Sequence, residues 1–196
     1  MKHINDILNE SILDKDLEDK TDEQIIRNWF EKAGGSDVAK SLEFTDDLRV
    51  CFPPSSWISL SIDDPIPSYI KIADAWEMRL HLNQNSNIEI PDGFLPEMCH
   101  SLDIFIRYPH VKKLEFKSKQ IEVDRFTISS HHLQTIILPK TSYVEYIDLS
   151  GCENLEDIKN IQKVEKANFP NSFGANLIRK YLKIRGEIKL NGFGPY

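Results

Sequence analysis

The sequence predicts an α+β protein, a short and irregular β-solenoid with a helical N-terminal head and a C-terminal helix. Three observations support this fold class. Helical periodicity is confined to the two ends of the chain, short alternating apolar runs fill the middle, and apolar positions in the middle recur at intervals of about 22 residues. The 196 residues, of which 40% are hydrophobic, suffice for one folded unit with a core of its own.

The helical head is predicted over residues 1–45. A first helix is expected over residues 3–13, because its apolar residues recur at helical spacing. Thr21 and Gln24 have the spacing of a capping box, which predicts the start of a second helix. The consecutive glycines at 34–35 then end that helix, and a short third helix follows them.

The β-rich repeat region is predicted over residues 46–170. Its alternating apolar residues indicate short strands at close intervals. Three units of equal length begin at Val111, Leu133 and Leu155, and a weaker unit begins near residue 85. Periods of about 20–29 residues are typical of stacked coils, each of which buries its apolar face against its neighbours.

Two expectations follow from this period. Leu114, Ile136 and Ile158 should stack as equivalent inward residues of consecutive coils, and Cys152 should be buried inside a coil. The three cysteines are an odd number without C-x-x-C spacing, which indicates reduced thiols of a cytosolic protein. The alternative fold is a β-sandwich whose strands are evenly spaced.

The last segment, residues 171–196, is predicted to form a C-terminal helix and a tail packed on the repeats. An apolar face predicts the helix over residues 175–184, and a short strand is predicted from Ile188 to Leu190. No apolar run approaches the length of a membrane span, and the first thirty residues are too acidic for a signal peptide. We therefore expect a cytoplasmic protein.

The string LQTIILPKTSYVEYIDLSGCENLEDI, residues 133–158, resembles the leucine-rich repeat family. It shares the L-x-x-I-x-L-P opening and the late cysteine of Treponema-type repeats. The resemblance covers residues 85–170 and weakens outside this string, since Lys117 replaces the proline in one coil and Val144 falls two residues late. It implies an irregular array of three to five coils whose outward strand residues bind proteins.

Motifs that carry chemistry are absent from the sequence. It contains no G-x-G-x-x-G, Walker loop, H-E-x-x-H or G-x-S-x-G. His131 and His132 are adjacent, so a strand would direct them to opposite faces, and Cys99 with His100 has the same defect. We therefore expect no catalytic residue, no cofactor and no metal ion, and predict that the protein is not an enzyme.

The charge of the chain points to a basic protein partner. The net charge is −7, and residues 1–50 hold 13 acids against 7 bases. This balance argues against direct binding of nucleic acid, which requires clustered Lys and Arg. A suitable contact patch would combine an aromatic anchor with neighbouring carboxylates, which would pair with Arg or Lys of the partner. The candidate partner-binding residues are Glu115, Glu145, Tyr146 and Asp148.

A small, acidic, repeat-bearing protein without a catalytic motif is similar to the bacterial immunity proteins that neutralise toxins of contact-dependent growth inhibition. Many of these toxins are nucleases. The resemblance rests on size, charge and the short array, and it implies a chain that covers the active site of a cognate toxin as a monomer in a heterodimer, without a membrane partner. Two alternatives remain: a leucine-rich-repeat adaptor that links two proteins, and a hydrolase with dispersed catalytic residues.

Overall fold

A computed structural model describes residues 21–160, 163–170 and 188–190 of the chain. Its body is a β-solenoid of about five turns, and the strands of successive turns pair in parallel. A seven-stranded sheet and a four-stranded sheet run along the solenoid, and a three-stranded sheet lies at its N-terminal end.

The secondary structure alternates between the two long sheets along the chain. The helices are α1 (Asp22–Gly34) and α2 (Ser36–Ser41). The three-stranded sheet contains β1 (Glu43–Phe44), β2 (Val50–Cys51) and β4 (Ile72–Asp74). The four-stranded sheet contains β6 (Ile88–Ile90), β8 (Lys113–Phe116), β10 (Thr135–Ile137) and β12 (Asp157–Lys159). The seven-stranded sheet contains β3 (Trp57–Ile62), β5 (Glu77–Leu82), β7 (Met98–Ile106), β9 (Gln120–Ser129), β11 (Thr141–Gly151), β13 (Lys163–Phe169) and β14 (Ile188–Leu190).

The predicted stack of inward residues is confirmed on the four-stranded sheet. Ile136 of β10 pairs with Leu114 of β8 on one side and with Ile158 of β12 on the other. All three side chains are buried. The weaker first unit joins the same stack, since Ile88 of β6 pairs with Leu114, although a longer stretch of chain connects these two than connects Leu114 with Ile136. The protein therefore forms the predicted solenoid, and its coils differ in length.

The core runs through the solenoid between its sheets, and Cys152 lies inside it as predicted. The Cys152 side chain is fully buried, and its Sγ atom donates to the carbonyl oxygen of Ile128 at 3.3 Å. Burial in this apolar setting raises the pKa of the Cys152 thiol to about 12. The three cysteines are all free thiols in this structure.

The beginning of α1 follows the predicted capping signal. The Oγ1 atom of Thr21 accepts a hydrogen bond from the backbone N–H of Gln24 at 3.3 Å. Asp22 and Glu23 occupy the first turn, where their charges complement the positive end of the helix dipole. The helix ends at Gly35, whose φ of 87° suits a residue without a Cβ atom.

A separate helical head over residues 1–45 is not supported. Ile26 and Phe30 of α1 belong to the same buried core as the coils, and a Cβ atom on Gly34 would lie 2.9 Å from the side chain of Leu60 in β3. The helix therefore covers the end of the solenoid instead of forming its own unit. The helix expected over residues 3–13 lies outside the described residues.

The C-terminal helix expected over residues 175–184 also lies outside the described residues, so it gains no support. The predicted strand that follows it is confirmed, because β14 pairs in parallel with β13 through Ala167 and Ile188. None of the helices within the described ranges combines the length and the apolar character that crossing a membrane requires.

Candidate functional site

The long strands of the seven-stranded sheet bend at one shared position. In β9, Asp124 and Arg125 follow each other and are both exposed, although residues in a regular strand alternate between faces. In β11, Glu145 and Tyr146 occupy the same place, and the backbone pairing skips Asp124 and Glu145. Two successive outward residues require a bend, so the sheet turns a corner here.

Three acidic residues follow one another along this corner. Asp124, Glu145 and Glu165 take the same position in β9, β11 and β13, and all three are exposed. Neighbouring strands are about 4.8 Å apart, so their carboxylates are close neighbours. Glu122 lies two residues before Asp124 on the same side of β9. We call these four residues, Glu122, Asp124, Glu145 and Glu165, the acidic corner.

The negative potential of the acidic corner acts on Tyr143. The Tyr143 hydroxyl donates to Oε1 of Glu165 at 3.0 Å. This hydrogen bond is the main reason why the pKa of Tyr143 is raised, and burial and the negative charges of Glu145 and Glu122 raise it further. The raised pKa reflects several carboxylates that lie close to the Tyr143 hydroxyl.

The charges of the acidic corner are only partly compensated. Asp124 has a hydrogen-bonding neighbour in His100, whose Nδ1 atom lies 2.8 Å from its Oδ2 atom. Within the described part of the chain, no Lys or Arg nitrogen lies within ion-pair distance of Glu122, Glu145 or Glu165. Like charges on adjacent strands destabilise a sheet, so this arrangement opposes folding.

A groove of about 470 Å³ adjoins the acidic corner. Its polar wall includes the Gln120 side chain, which donates to Oε2 of Glu97 at 3.1 Å. The groove is lined by Glu97, Gln120, Ile121, Glu122, Thr141, Ser142 and Tyr143. It has room for a side chain of a partner beside the carboxylates.

Exposed apolar side chains lie on the same sheet, toward its N-terminal end. Trp57 of β3 and Met98 of β7 are 54% and 67% exposed, and Trp76, just before β5, is 51% exposed. The Trp76 ring stacks on that of His100, with centroids 4.7 Å apart. Since His100 also contacts Asp124, apolar contacts and acids form one continuous surface.

Two of the four predicted contact residues, Glu145 and Tyr146, lie at the corner, whereas Asp148 serves the fold of its own strand. The Asp148 carboxylate accepts from the backbone N–H of Ser150 at 2.9 Å and from its hydroxyl at 2.6 Å. It also accepts from the Tyr146 hydroxyl and from Asn168, both at 3.3 Å. Burial first, and the Asp148 charge second, raise the pKa of Tyr146.

Glu115, the fourth predicted contact, lies on a different sheet. It belongs to β8 of the four-stranded sheet, where it accepts from Lys113 Nζ at 2.8 Å and from Lys117 Nζ at 2.6 Å. These two hydrogen bonds lower the pKa of Glu115. The structure therefore does not bring Glu115 together with the other three residues.

Sequence reasoning missed Glu122, Asp124 and Glu165 as members of the same surface. The 22-residue period of the repeat would not have found them, because it relates Glu145 to Val123 and Ala167. Asp124 lies 21 residues before Glu145, and Glu165 lies 20 residues after it. Each of these steps equals the local spacing between paired strands, which links Tyr146 with Arg125 on one side and with Lys166 on the other.

Within the part of the chain that the structure describes, no group of three His, Cys, Asp or Glu residues is arranged to hold a metal ion. Comparisons with protein-family models, with curated proteins and with solved structures found no match for the chain. The function is therefore argued from the geometry of the surface.

Proposed function

We propose that the chain is a protein-binding module whose acidic corner binds a basic protein. The observation that carries this proposal is the row of Asp124, Glu145 and Glu165 on three successive strands, with no Lys or Arg ion pair among the described side chains. A basic partner would relieve the repulsion within this row, and the same charges would accelerate its association.

The apolar residues beside the acidic corner supply binding energy that the charges alone do not. Tyr146 follows Glu145 directly and is half-buried, which suits an aromatic anchor at the centre of a contact. Trp76 and Met98 extend the surface along the same sheet. For such a combination we expect nanomolar affinity or tighter, which corresponds to about −12 kcal/mol or below.

As the identity of the partner, we propose a nuclease toxin of contact-dependent growth inhibition, with the chain acting in the cytoplasm as its immunity protein. A nuclease cleft is basic because it holds a row of phosphates, and the row of carboxylates along the solenoid axis supports a match to such a cleft. The proposed mechanism is occlusion, in which the chain covers the cleft and RNA or DNA is excluded. We also assign the coils to the leucine-rich repeats as part of this proposal.

A charge-neutralising pair of substitutions tests the acidic corner. We expect Glu145→Gln with Glu165→Gln to slow association about three- to tenfold and to weaken its dependence on salt. The matched control is Glu31→Gln with Glu43→Gln, which changes the net charge equally at two exposed positions outside the corner. Stopped-flow association rates at several salt concentrations compare the two variants.

The partner for these measurements comes from affinity capture in the native host. We expect one tightly held basic protein, whose nuclease activity the purified chain inhibits at a one-to-one ratio. Equal rates for the two double variants would contradict the role of the acidic corner. Turnover of a small-molecule substrate by the chain, with no basic partner captured, would instead favour the hydrolase alternative.

A further inference from the structure

A second depression lies on the outer face of the seven-stranded sheet, above the short side chain of Ser101. It has a volume of about 410 Å³, within the range of about 300–1,000 Å³ that ligand pockets occupy. Ser101 of β7 pairs with Glu77 of β5 and with Arg125 of β9. The longer side chains on either side leave a space above the serine.

Arg79 is held in place at one wall of this depression. Its guanidinium carbon lies 4.6 Å from the ring centroid of Trp57 and 5.6 Å from that of Phe105. The Nη2 atom contacts Oδ2 of Asp103 at 3.3 Å. The Nε atom is buried and has no acceptor among the described residues. Most of the donors of this fixed guanidinium therefore lack a protein partner.

The charges that line the depression cancel. Two guanidinium groups, from Arg79 and Arg125, face two carboxylates, from Glu77 and Asp103. The remaining polar lining groups are His100, Ser101 and Thr127. Because the formal charges of the lining balance, a ligand with net charge gains little net attraction from it. A neutral ligand that both donates and accepts hydrogen bonds matches it.

We propose that this depression binds a neutral saccharide. Sugar hydroxyls act as donors and acceptors at once, so they satisfy Asp103 and Arg79 together. The apolar C–H face of a pyranose ring packs against an exposed aromatic ring, and the Trp57 ring is 54% exposed although the Arg79 guanidinium covers one of its faces. The proposal does not depend on the acidic corner, although His100 and Arg125 line this depression and both adjoin Asp124.

Ligand-detected NMR on the full chain tests the proposal with maltose, cellobiose, lactose and N,N′-diacetylchitobiose as probes. At least one of them should show saturation transfer, and Trp57→Ala should weaken its binding by about tenfold or more. Tyr108→Ala is the matched control, because Tyr108 is 41% exposed but does not line the depression. It should leave the affinity within about twofold.

A second variant, Ser101→Gln, fills the depression from its floor and should abolish the saccharide signal. Any of three results would overturn the proposal. The first is the absence of saturation transfer from all four disaccharides with the intact chain. The second is binding that persists unchanged in Ser101→Gln, and the third is inorganic phosphate that binds in competition with the sugar. Thermal unfolding of each variant confirms that its fold is intact.

Discussion

The two long sheets of the solenoid differ in how they handle surface charge. On the four-stranded sheet, Lys117 lies 3.3 Å from Glu89 and 2.6 Å from Glu115, and Lys159 lies 3.6 Å from Asp157. Each of these acids has a base within ion-pair distance. Because these acids are already paired with lysines, this face needs no charged partner to balance them.

The corner of the seven-stranded sheet shows the opposite arrangement. Glu145 and Glu165 are exposed neighbours without a Lys or Arg ion pair among the described side chains, and Trp57 and Met98, toward the N-terminal end of the same sheet, expose more than half of their surface. Selection for folding alone would neutralise these acids and cover these apolar groups. The difference supports the proposal that the partner binds on the long-strand side.

The largest expected effect tests whether the two sheets differ only in their surface charges and share one core. Ile136 and Ile104 are both buried, on the four-stranded and the seven-stranded side respectively. Because both contribute to one core, Ile136→Ala and Ile104→Ala should each lower the free energy of unfolding by about 2–5 kcal/mol. Urea unfolding measures both.

The control is Thr135→Ala, an outward neighbour of Ile136, which should change the free energy of unfolding by about 0.5 kcal/mol or less. If Ile136→Ala were no more destabilising than this control, the stack of Leu114, Ile136 and Ile158 would not be a core. A large loss on one sheet only would show that the two sides fold separately.

The second prediction compares the two sheets by the effect of one substitution on each on binding of the partner. Tyr146 and Ile137 are both half-buried outward residues, on β11 and on β10 of the other sheet. Tyr146→Ala should raise the dissociation rate of the basic partner and cost about 2 kcal/mol or more. Ile137→Ala should leave the rate unchanged, since its sheet has its charges paired.

Surface plasmon resonance with the captured partner measures both dissociation rates. Tyr146→Phe separates the ring from the hydroxyl, which donates to Asp148. We expect it to retain most of the affinity, because the ring supplies the buried contact. Faster dissociation of the partner from Ile137→Ala than from Tyr146→Ala would place the partner on the four-stranded sheet instead.

The coils were predictable because inward residues must be apolar and must repeat with the strand spacing. The constant interval between Leu114, Ile136 and Ile158 is a direct consequence of that requirement. The corner was not predictable in the same way. The apolar residues of β9 form two separate alternating runs in the sequence, because the bend at Asp124 and Arg125 shifts the alternation by one residue.

The candidate contacts were harder to predict for a related reason. Alternation identifies Glu115 as outward but does not reveal which sheet it lies on, nor that Lys113 and Lys117 both reach its carboxylate. Asp148 is outward too, yet its carboxylate is occupied by Ser150 in an irregular part of β11. Sequence patterns describe the direction of a side chain, whereas its partners depend on the assembled sheets.

The smallest effect concerns the paired charges of the four-stranded sheet. Hydrogen bonds from Lys113 and Lys117 lower the pKa of Glu115 below its ordinary value of 4.5. A carboxyl whose pKa is lower in the folded state adds stability above its unfolded pKa, and that stability is lost as the pH falls through the folded pKa. Because the pair is partly exposed, we expect a contribution below about 1 kcal/mol.

Glu115→Gln should therefore destabilise the protein slightly at pH 7, and the difference from the unaltered chain should shrink as the pH falls below 4.5. Urea midpoints at pH 7 and in the acid range measure this difference. In a Lys117→Met background the effect of Glu115→Gln should be smaller, because one of its two partners is already gone. A difference that grew in acid would contradict the pairing. The same variant should leave the association rate of the basic partner unchanged, since Glu115 is paired with two lysines and lies on the sheet opposite to the proposed contact surface.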